Sequence, residues 1–539
     1  MKKYHLLLLS IFSGLLFAAA WPVGGWPGLL FIAFVPLLFI EEHIDKHRQD
    51  FHKFSILTYV YPAFFIWNIL TTYWVMNSTI GGGIAAVVFN SLLMSVVFMI
   101  YHLTKRNLYT YHGYFILIFY WISWEYFHMN WDLTWPWLNL GNGFASYYKW
   151  IQWYEYTGAL GGTFWVLLVN ILLYRAITFA GIADRSRRKA LAYLIAGIVF
   201  IVFPLVWSYL IYANYEEADH PVEVVVVQPN LDPYTEQYIV PPLEVIDRNL
   251  ALAMQKIDSN TQFVVAPESA IQEDIWERKL DISRSLRKIR QFVYDHPQLT
   301  VFIGASTYKE FLAGEELTPT ARKFKDYDAY YDAFNTVFMI DTNEIEQWYH
   351  KSKLTPGVER MPFPRYLKFL KDLAIDMGGT IGSLGIDEER KVFNTQYDSL
   401  KVGAIICYES IYGEFTAKFV RNGANFIFIV TNDGWWGDTP GYRQHFAYAR
   451  LRAIETRRSI ARSANTGISA FINQRGDAFQ ETAYWEPAVI KQKINANWKE
   501  TFYVQFGDYL ARIAIFFSVL FLLVGITSGI VKKKNPVVR

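Results

Sequence analysis

Three polar residues of complementary chemistry follow apolar, β-rich runs in the second half of the chain. Glu268 ends the run FVVAPE, Lys351 lies in the extended run EQWYHKSKL, and Cys407 ends VGAIIC. A thiol with an ordinary pKa of about 8.5 is mostly protonated at neutral pH, so it needs a base or a nearby cation to react. A carboxylate can act as the base, and an ammonium can stabilise the oxyanion formed when a thiolate attacks an acyl carbon. The three residues therefore predict a cysteine nucleophile that accepts an acyl group.

Each residue alone also has a simpler interpretation. A cysteine after a β run is often a small buried hydrophobic residue. Glu268 could cap the turn after Pro267, and Lys351 could belong to a solvated basic loop. The combination favours chemistry, because a nucleophilic thiol requires partners of these types. Cys407 is the only cysteine of the 539 residues, so no intramolecular disulfide can form and the thiol requires another explanation.

The elements that must position these residues begin near residue 222. Short β-rich runs alternate there with amphipathic stretches, which predicts strands and helices in layered α/β packing. The predicted strands are VEVVVVQPN, TQFVVAPES, LTVFIGAS, NTVFMID, EIEQWYHKSKL, KVGAIICYES and ANFIFIVTNDGWW. The predicted helices cover residues 241–257, 276–295, 410–422 and 441–458. The sequence has no glycine-rich phosphate loop, zinc-ligand spacing or Gly-x-Ser-x-Gly motif, so we predict neither a cofactor nor a metal.

The first part of the chain has a different composition. Overall, 53% of the residues are hydrophobic and 18% are aromatic, which is too apolar for one soluble domain. Apolar segments near spanning length predict seven transmembrane helices before residue 214 and an eighth at 508–531. The seven cover residues 5–22, 27–41, 54–76, 84–103, 113–129, 157–180 and 190–213. With 51 basic and 49 acidic residues, the net charge of +2 gives no reason to expect a nucleic-acid partner.

The distribution of Lys and Arg predicts the orientation. If the amino terminus is inside, the inner segments hold almost all the basic residues near the spans, including Arg185 and Arg539, whereas the short outer loops hold only Lys149. This predicts a membrane domain over residues 1–213, an extracytoplasmic domain over 214–507, the last span at 508–531 and a cytoplasmic basic tail at 532–539. The segment 27–41 is short and contains Pro36, so it could be re-entrant or tilted.

Two segments have alternative interpretations. Lys2-Lys3, a leucine-rich core and Ala18–Ala20 are also typical of a cleaved secretory signal, which would leave seven spans and the same outward domain. The predicted outer loop at 130–156 is rich in Trp and Tyr. These rings could form an ordinary aromatic belt at the bilayer surface or a rim that admits a lipid substrate.

The segments VVAPES, YHKSKL and IICYES resemble those that carry the Glu-Lys-Cys triad of the nitrilase superfamily. Over essentially all 539 residues, the chain resembles the apolipoprotein N-acyltransferases of bacterial envelopes, which combine a nitrilase-like domain with eight spans. The resemblance implies a multi-span α-helical membrane domain and an α/β nitrilase-like domain built as an α-β-β-α sandwich. It implies Glu268 as general base, Lys351 as oxyanion-stabilising cation and Cys407 as acyl carrier.

The resemblance also implies supporting roles. Glu359 would orient the lysine or relay protons, and Tyr408 and Glu409 would shape the pocket. Asn432, Asp433 and Trp435 in TNDGWWGD match a loop on the substrate side.

Some residues depart from the family pattern. Lys353 replaces a usual His and Gly357-Val358 replaces Phe-Gly, so the loop around Glu359 could differ. A usual Trp corresponds to Tyr238 or Gln237, and its role is not transferred.

The expected reaction is ping-pong transfer of a fatty acyl chain. Cys407 would take the chain from a membrane phospholipid as a thioester and pass it to the amino terminus of a lipoprotein's diacylglyceryl cysteine. The resemblance implies a monomer in the bacterial inner membrane, with its catalytic domain on the periplasmic side. Two alternatives remain at this stage: a membrane-tethered carbon-nitrogen hydrolase, and a non-catalytic lipoprotein-binding protein.

Overall fold

The computed structural model describes residues 2–108, 113–181, 186–343, 347–362, 383–397 and 399–534. Arg185, Arg539, most of the predicted basic tail and the first residues of the run EIEQWYHKSKL lie outside these ranges. The chain divides into two compact units. The first comprises Met1–Met76, Ile80–Asn214 and Phe506–Arg539, and the second comprises Asn77–Thr79 and Tyr215–Gln505.

The first unit is helical. Its α-helices are α1 (Lys3–Ala20), α2 (Leu30–Ala33), α3 (Val35–Lys46), α4 (Ser55–Thr72), α5 (Ile80–Leu108), α6 (Ile116–His128), α7 (Tyr154–Thr157), α8 (Ala159–Ala180) and α9 (Arg187–Asn214), with the carboxyl-terminal helix Tyr509–Lys534. Among the described residues, six helices are long and apolar enough to cross a membrane. They are Lys3–Ala20, Pro27–Lys46, Ile80–Leu108, Ala159–Ala180, Arg187–Asn214 and Tyr509–Val531.

The count of eight spans includes two further segments and stays a prediction, because length and apolar composition alone define these six helices. The segments predicted at 54–76 and 113–129 are helical, but α4 and α6 are not among the six. Helix α6 has only 13 residues, short of the ~20 needed to span the hydrocarbon core. Helix α4 contains Pro62 and several hydroxyl-bearing side chains.

The segment that contains Pro36 is a broken helix. Helices α2 and α3 are separated at Phe34, and Pro36 lies in the first turn of α3, where its missing N–H costs least. The Asn170 side chain from α8 accepts a hydrogen bond from Phe34 N at 2.8 Å and donates one to Leu30 O at 2.7 Å. A neighbouring helix thus satisfies the backbone groups that the break leaves free, as an apolar environment requires.

The second unit contains two sheets in the described residues. Its strands are β1 (Pro221–Gln228), β2 (Phe263–Val265), β3 (Ile271–Trp276), β4 (Thr300–Glu310), β5 (Arg322–Lys323), β6 (Tyr330–Ile340), β7 (Gln347–His350), β8 (Phe393–Asn394), β9 (Lys401–Ile406), β10 (Phe426–Thr431), β11 (Ile460–Ala464), β12 (Ala470–Ile472), β13 (Ala478–Phe479) and β14 (Ala488–Asn495). The first sheet has the order β14-β1-β2-β4-β6-β5, with β3 beside β4 and β7 beside β6. The second has the order β13-β12-β11-β10-β9-β8.

Parallel strands form the centre of each sheet. Strands β1, β2 and β4 run parallel in the first sheet, and β9, β10 and β11 run parallel in the second. The carboxyl ends of parallel neighbours lie at the same edge, so side chains that follow β9, β10 and β11 are brought together.

Aromatic side chains pack the two sheets face to face. Phe428 of β10 lies edge-on to Phe302 of β4 at 5.0 Å between ring centroids and to Phe263 of β2 at 5.6 Å. All three are fully buried. Edge-to-face contacts of this kind add to the free energy gained by removing the rings from water.

Helices cover the outer faces of both sheets. The helices that follow α9 are α10 (Pro242–Met254), α11 (Arg284–Asp295), α12 (Gly413–Arg421), α13 (Pro440–Thr456), α14 (Phe502–Phe506) and α15 (Tyr509–Lys534), of which α15 belongs to the first unit. Apolar residues of α10 and α11 share one core with the first sheet. On the second sheet, the absence of a side chain at Gly403 of β9 admits Phe419 of α12. The layers are α-β-β-α, as predicted.

The predicted elements are confirmed with small shifts in their ends. The predicted helix at 276–295 begins later, because β3 and a 3₁₀ segment at Glu277–Ile282 occupy its start. Seven of the described strands were not predicted: β3, β5, β8, β11, β12, β13 and β14. β14 reads AVIKQKIN, in which charged and polar residues interrupt the apolar pattern, and it lies at the sheet edge, paired only with β1.

Phe428→Ala is expected to lower the stability of the second unit by about 3–5 kcal/mol, because it leaves a cavity between the sheets. Thermal unfolding of the full-length protein in detergent measures the effect. Phe479→Ala is the matched control, since Phe479 is 43% exposed on the edge strand β13. Equal unfolding midpoints for the two variants would contradict this description of the core.

Candidate active site

Glu268 is held against the first sheet by a close approach of backbones. It follows β2 and is 7% exposed. Gly304 N of β4 donates a hydrogen bond to Pro267 O at 3.1 Å. A Cβ atom at position 304 would lie 2.6 Å from Glu268 Cα and 2.7 Å from Pro267 O. Position 304 must therefore be glycine for the turn at Glu268 to approach β4 this closely.

Lys351 follows β7, and the neighbouring strand β6 fixes its backbone. Lys351 N donates to Asn335 O at 2.8 Å. The lysine is 2% exposed, and its Nζ donates to Glu268 Oε1 at 3.0 Å and to Glu359 Oε1 at 2.9 Å. The structure thus brings two predicted carboxylates onto one buried ammonium.

Asn335 connects the same two carboxylates. Its Nδ2 donates to Glu268 Oε1 at 2.7 Å and to Glu359 Oε1 at 3.0 Å. Each carboxylate also has a backbone donor, because Asn432 N bonds Glu268 Oε2 at 3.1 Å and Thr355 N bonds Glu359 Oε2 at 2.8 Å. Buried charges need such partners, and here the four hydrogen bonds fix both carboxylates.

The charges around Lys351 keep it protonated. Burial alone would lower the pKa of the ammonium, but Glu268, Glu359 and the thiol of Cys407 outweigh burial and raise this pKa well above its ordinary value. Burial would likewise raise the pKa of Glu359, but the Lys351 charge lowers it below its ordinary value. Lys351 is thus a permanent positive charge inside the site.

Cys407 follows β9 and has a left-handed backbone, with φ of +49°. Non-glycine residues adopt this conformation rarely, and usually at functional positions. The thiol is partly exposed and lies within electrostatic reach of Glu268, Lys351 and Asp433. Burial and the charge of Glu268 raise its pKa far above the ordinary value, against the opposing effect of Lys351. The resting sulfur is therefore a thiol, and a base must take its proton before it reacts.

Glu409 links the segment that contains Lys351 to the segment that contains Cys407 through hydrogen bonds. It is fully buried, and its Oε1 accepts from Ser352 N at 2.6 Å and from Tyr349 OH at 2.8 Å. Its Oε2 accepts from Ile406 N at 2.9 Å, one residue before the cysteine. Burial raises the pKa of this carboxyl above its ordinary value. Tyr408 is 4% exposed.

The loop after Lys351 turns at the position where the sequence departs from the family pattern. Gly357 has φ of +82°, and its N–H donates to Arg360 O at 2.8 Å. This turn places Glu359 beside the lysine although Gly357-Val358 replaces the usual pair. The Lys353 ammonium lies 4.8 Å from the Tyr412 ring centroid. Burial and nearby cations lower the pKa of Lys353 to about 8.

The predicted substrate loop has two different environments. Trp435 is partly exposed and packs edge-on against Tyr234, with 5.4 Å between ring centroids. Asn432 is 3% exposed and its side chain donates to Gln237 Oε1 at 3.0 Å. Asp433 is fully buried, and its Oδ2 accepts from Arg462 Nη2 at 2.7 Å. Burial would raise the pKa of Asp433, but Arg462 and His445 lower it to about 2.

Sequence reasoning missed Asn335, Arg462 and His445. Asn335 begins the predicted strand NTVFMID, and a polar residue inside a β run was the signal that could have found it. Arg462 and His445 had no local signal, because their importance comes from contacts with Asp433, 29 and 12 positions away.

Another buried cluster lies directly before the lysine. His350 Nε2 is 2.7 Å from Glu277 Oε1, and its Nδ1 is 3.2 Å from Asp387 Oδ1. Burial would lower the pKa of this imidazole, but the two carboxylates raise it above its ordinary value. Burial would raise the pKa of Asp387, but His350 lowers it to about 2. A charged His350 therefore holds two segments against the strand that carries Lys351.

Together, a buried carboxylate, a fixed ammonium and a partly exposed cysteine are the groups that nucleophilic acyl chemistry requires. Glu268 and Lys351 both lie within electrostatic reach of the thiol. In the described part of the chain, no group of three or more His, Cys, Asp or Glu side chains is arranged to hold a metal ion.

Comparisons with known proteins match both units. Residues 13–172 match the family described as the apolipoprotein N-acyltransferase N-terminal domain, and residues 243–503 match the carbon-nitrogen hydrolase family. The apolipoprotein N-acyltransferase of Chlorobaculum tepidum is 29% identical over 521 residues, covering 94% of each chain. That of Thermotoga maritima is 26% identical, covering 97% of this chain and 94% of the relative.

Solved structures similar to part of this chain include an amidase from Nesterenkonia sp. and Nit3 of Saccharomyces cerevisiae, a member of the nitrilase superfamily. The amidase is 13% identical with a TM-score of 0.36, and covers 55% of this chain and 98% of its own. Nit3 is 15% identical with a TM-score of 0.36, and covers 52% of this chain and 92% of its own.

Gly304→Ala is expected to displace the Glu268 turn, because the new methyl group would overlap backbone atoms that cannot rotate away. We expect a loss of about 1–3 kcal/mol in stability from overpacking and slower alkylation of Cys407 by iodoacetamide at neutral pH. Ser306→Ala, two residues along β4, is the control, since Ser306 is partly exposed. A Gly304→Ala protein with unchanged unfolding and alkylation would show that the close approach is unimportant.

His350→Gln is expected to change how stability depends on pH. Because the folded-state pKa of His350 is raised, its stabilising contribution is complete below the unfolded value of about 6.5 and is lost as pH rises through the folded value. The difference in unfolding midpoint between the natural protein and the variant should therefore be largest below about pH 6.5 and shrink as the pH rises above that value. His296→Gln is the control, since the His296 ring bonds a backbone carbonyl, Phe292 O. A difference that is constant across this range would exclude a charged His350.

Proposed function

This chain belongs to the apolipoprotein N-acyltransferase family of the carbon-nitrogen hydrolase superfamily, and we propose that it transfers a fatty acyl chain from a membrane phospholipid to lipoproteins through a thioester on Cys407. The acceptor is the amino terminus of the diacylglyceryl cysteine. The proposal rests on one observation: a buried Lys351 ammonium bonds both Glu268 and Glu359 within electrostatic reach of the only thiol in the chain.

In the first half-reaction Glu268 takes the thiol proton and the sulfur of Cys407 attacks the ester carbonyl of the phospholipid. The C–S bond forms, the carbonyl oxygen becomes an oxyanion, and Lys351 stabilises its charge. The oxyanion then collapses and the C–O bond to the glycerol breaks. The departing alkoxide takes the proton from Glu268, so a lysophospholipid leaves and the thioester remains.

In the second half-reaction the amine of the lipoprotein attacks the thioester. Glu268 takes one amine proton, the C–N bond forms, and Lys351 again stabilises the oxyanion. Collapse breaks the C–S bond, and the thiolate recovers the proton from Glu268. The products are an amide and the original thiol, so the two half-reactions consume only the phospholipid and the lipoprotein.

The supporting residues position this machinery. Glu359 and Asn335 fix the lysine and the base, and Glu409 with Tyr408 fixes the segment that carries the nucleophile. Trp435 and Asn432 are assigned to the substrate side. Because Asp433 is fully buried against Arg462, we assign it a positioning role instead of the predicted substrate contact.

The membrane spans explain how lipid substrates reach the site. The domain at 214–507 follows one apolar helix and precedes another in the chain, so it is tethered on both sides. A tethered site meets lipid-anchored reactants by lateral diffusion and need not extract them into water. The charge distribution supports an inner-membrane location with this domain in the periplasm. The enzyme is proposed to act as a monomer.

The test supplies the purified full-length protein with a phospholipid labelled in its acyl chains and then with a diacylated lipopeptide. Before the peptide is added, mass spectrometry should find the label on Cys407 as a hydroxylamine-sensitive adduct. After addition, the label should move to the peptide amine. Glu268→Gln should slow acylation about 10²–10⁴-fold, as expected for loss of a general base. Glu244→Gln is the control, because Glu244 is an exposed surface residue of α10.

The other outcomes identify the alternatives. Labelled free fatty acid without acylated peptide would identify a hydrolase that uses water. Full complementation by Cys407→Ala in a cell that depends on this protein would identify a non-catalytic binding protein.

A further inference from the structure

A buried polar network lies behind the nucleophile and outside the Glu-Lys-Cys set. The carbonyl oxygen of Cys407 is 2.7 Å from Ser410 Oγ and 3.1 Å from His445 Nε2. On its other side, His445 Nδ1 is 2.9 Å from Asp433 Oδ1. Asp433 Oδ2 accepts from Arg462 Nη2 at 2.7 Å. His445, Asp433 and Arg462 are fully buried and Ser410 is 1% exposed.

The partners of His445 assign its hydrogens. A carboxylate and a carbonyl oxygen only accept hydrogen bonds. Nε2 therefore carries a hydrogen toward Cys407 O, with the Ser410 hydroxyl at 2.9 Å. Nδ1 lies between Asp433 Oδ1 at 2.9 Å and Arg462 Nη2 at 3.1 Å, so the ring is held from both sides.

Ser410, His445 and Asp433 have the spacing of a serine-hydrolase triad, but they are arranged for a different task. The hydroxyl of Ser410 donates its hydrogen to the Cys407 carbonyl. At 1% exposure its oxygen is sealed from an acyl donor. The three side chains therefore act on the backbone of the nucleophile and not on substrate.

We propose that His445 is a positioning residue for Cys407: together with Ser410, it holds the Cys407 carbonyl and thereby keeps this residue in its left-handed conformation, with the thiol facing Lys351 and Glu268. Asp433 and Arg462 in turn fix the ring of His445. The inference rests on the proposed nucleophilic role of Cys407.

Two further observations support this role. The left-handed conformation of Cys407, with φ of +49°, is unfavourable for a non-glycine residue and needs local compensation, which two donors on its own carbonyl provide. The network also joins three parallel strands, since Cys407 follows β9, Asp433 follows β10 and Arg462 lies in β11. The backbone of the nucleophile is thus attached to interior strands of the second sheet.

The network also controls the charge near the sulfur. Asp433 is one of the groups that raise the pKa of the Cys407 thiol. Arg462 and His445 lie against Asp433 and stabilise its charge. Removing the His445 ring leaves the Asp433 carboxylate less compensated near the sulfur and should therefore make the thiol harder to ionise, an effect that a purely structural residue would not produce.

The test uses the single thiol of the full-length protein in detergent and measures the rate of Cys407 alkylation by iodoacetamide as a function of pH. Glutamine can reach the Cys407 carbonyl with its amide, whereas asparagine and phenylalanine cannot. We expect His445→Asn and His445→Phe to react about tenfold or more slowly at neutral pH, consistent with loss of the hydrogen bond to the Cys407 carbonyl, with the alkylation midpoint moved to higher pH. His445→Gln should recover much of the rate.

Thermal unfolding of each variant separates positioning from folding, and rates are compared only for protein that remains folded. His220→Asn, on an exposed residue of the same unit, is the control. Ser410→Ala should slow alkylation, and the double variant with His445→Asn should be less impaired than the product of the two single effects. A folded His445→Phe protein with the natural rate and pH profile would overturn the inference. Alkylation requires no acyl donor, so this result is independent of whether acyl transfer to lipoproteins occurs.

Discussion

The site depends on one buried ammonium placed between two carboxylates. Lys351 Nζ bonds Glu268 and Glu359 at 3.0 and 2.9 Å, and the lysine is 2% exposed. A buried charge without partners would cost several kcal/mol. The neighbouring hydrogen bonds from Asn335, Asn432 N and Thr355 N are therefore a condition for keeping these charges out of water, and they fix the geometry at the same time.

The fold supplies these partners from segments far apart in sequence. Glu268 follows β2 of the first sheet, and Lys351 follows β7, which pairs antiparallel with β6 of the same sheet. Cys407 follows β9 of the second sheet. The face-to-face packing of Phe263, Phe302 and Phe428 sets the distance between the sheets. Glu409 then ties the Lys351 segment to the residue before Cys407. The core and the site are thus determined by the same sheet-to-sheet contact.

Much of this arrangement could be predicted from the sequence. Glu268, Lys351 and Cys407 were recognisable because each combines a reactive group with the end of a strong β run. Asn335 was missed because its two carboxylate partners are 67 and 24 positions away. The burial of Asp433 depends on Arg462, whose approach is set by the parallel pairing of β10 and β11. Such contacts follow from register and packing, which a local pattern does not contain.

The membrane unit shows the same limit. The apolar segments were recognisable from composition, but the break at Phe34 is completed by Asn170, a residue 136 positions away. Pro36 alone predicted that the helix is interrupted, but it did not predict how the backbone groups at the break are hydrogen-bonded. Hydropathy predicted spans at 54–76 and 113–129, but it could not predict that the α-helices there cover only Ser55–Thr72 and Ile116–His128, with 3₁₀ segments at Tyr73–Asn77 and Gly113–Phe115.

The arrangement also explains how a thiol whose ionisation is opposed by burial and by a carboxylate can serve as a nucleophile. The resting site holds two carboxylates, one ammonium and a neutral thiol. In the proposed reaction, proton transfer to Glu268 replaces a carboxylate with a thiolate, and attack by the sulfur replaces the thiolate with an oxyanion. The net charge beside Lys351 would be the same at each stage, so the proposed reaction moves charge within the site without creating any. Because the protein dipoles are already oriented, little reorganisation is needed. This constant charge requires the proton to pass directly between the Cys407 sulfur and Glu268. The backbone of Cys407 must therefore be held in a fixed position.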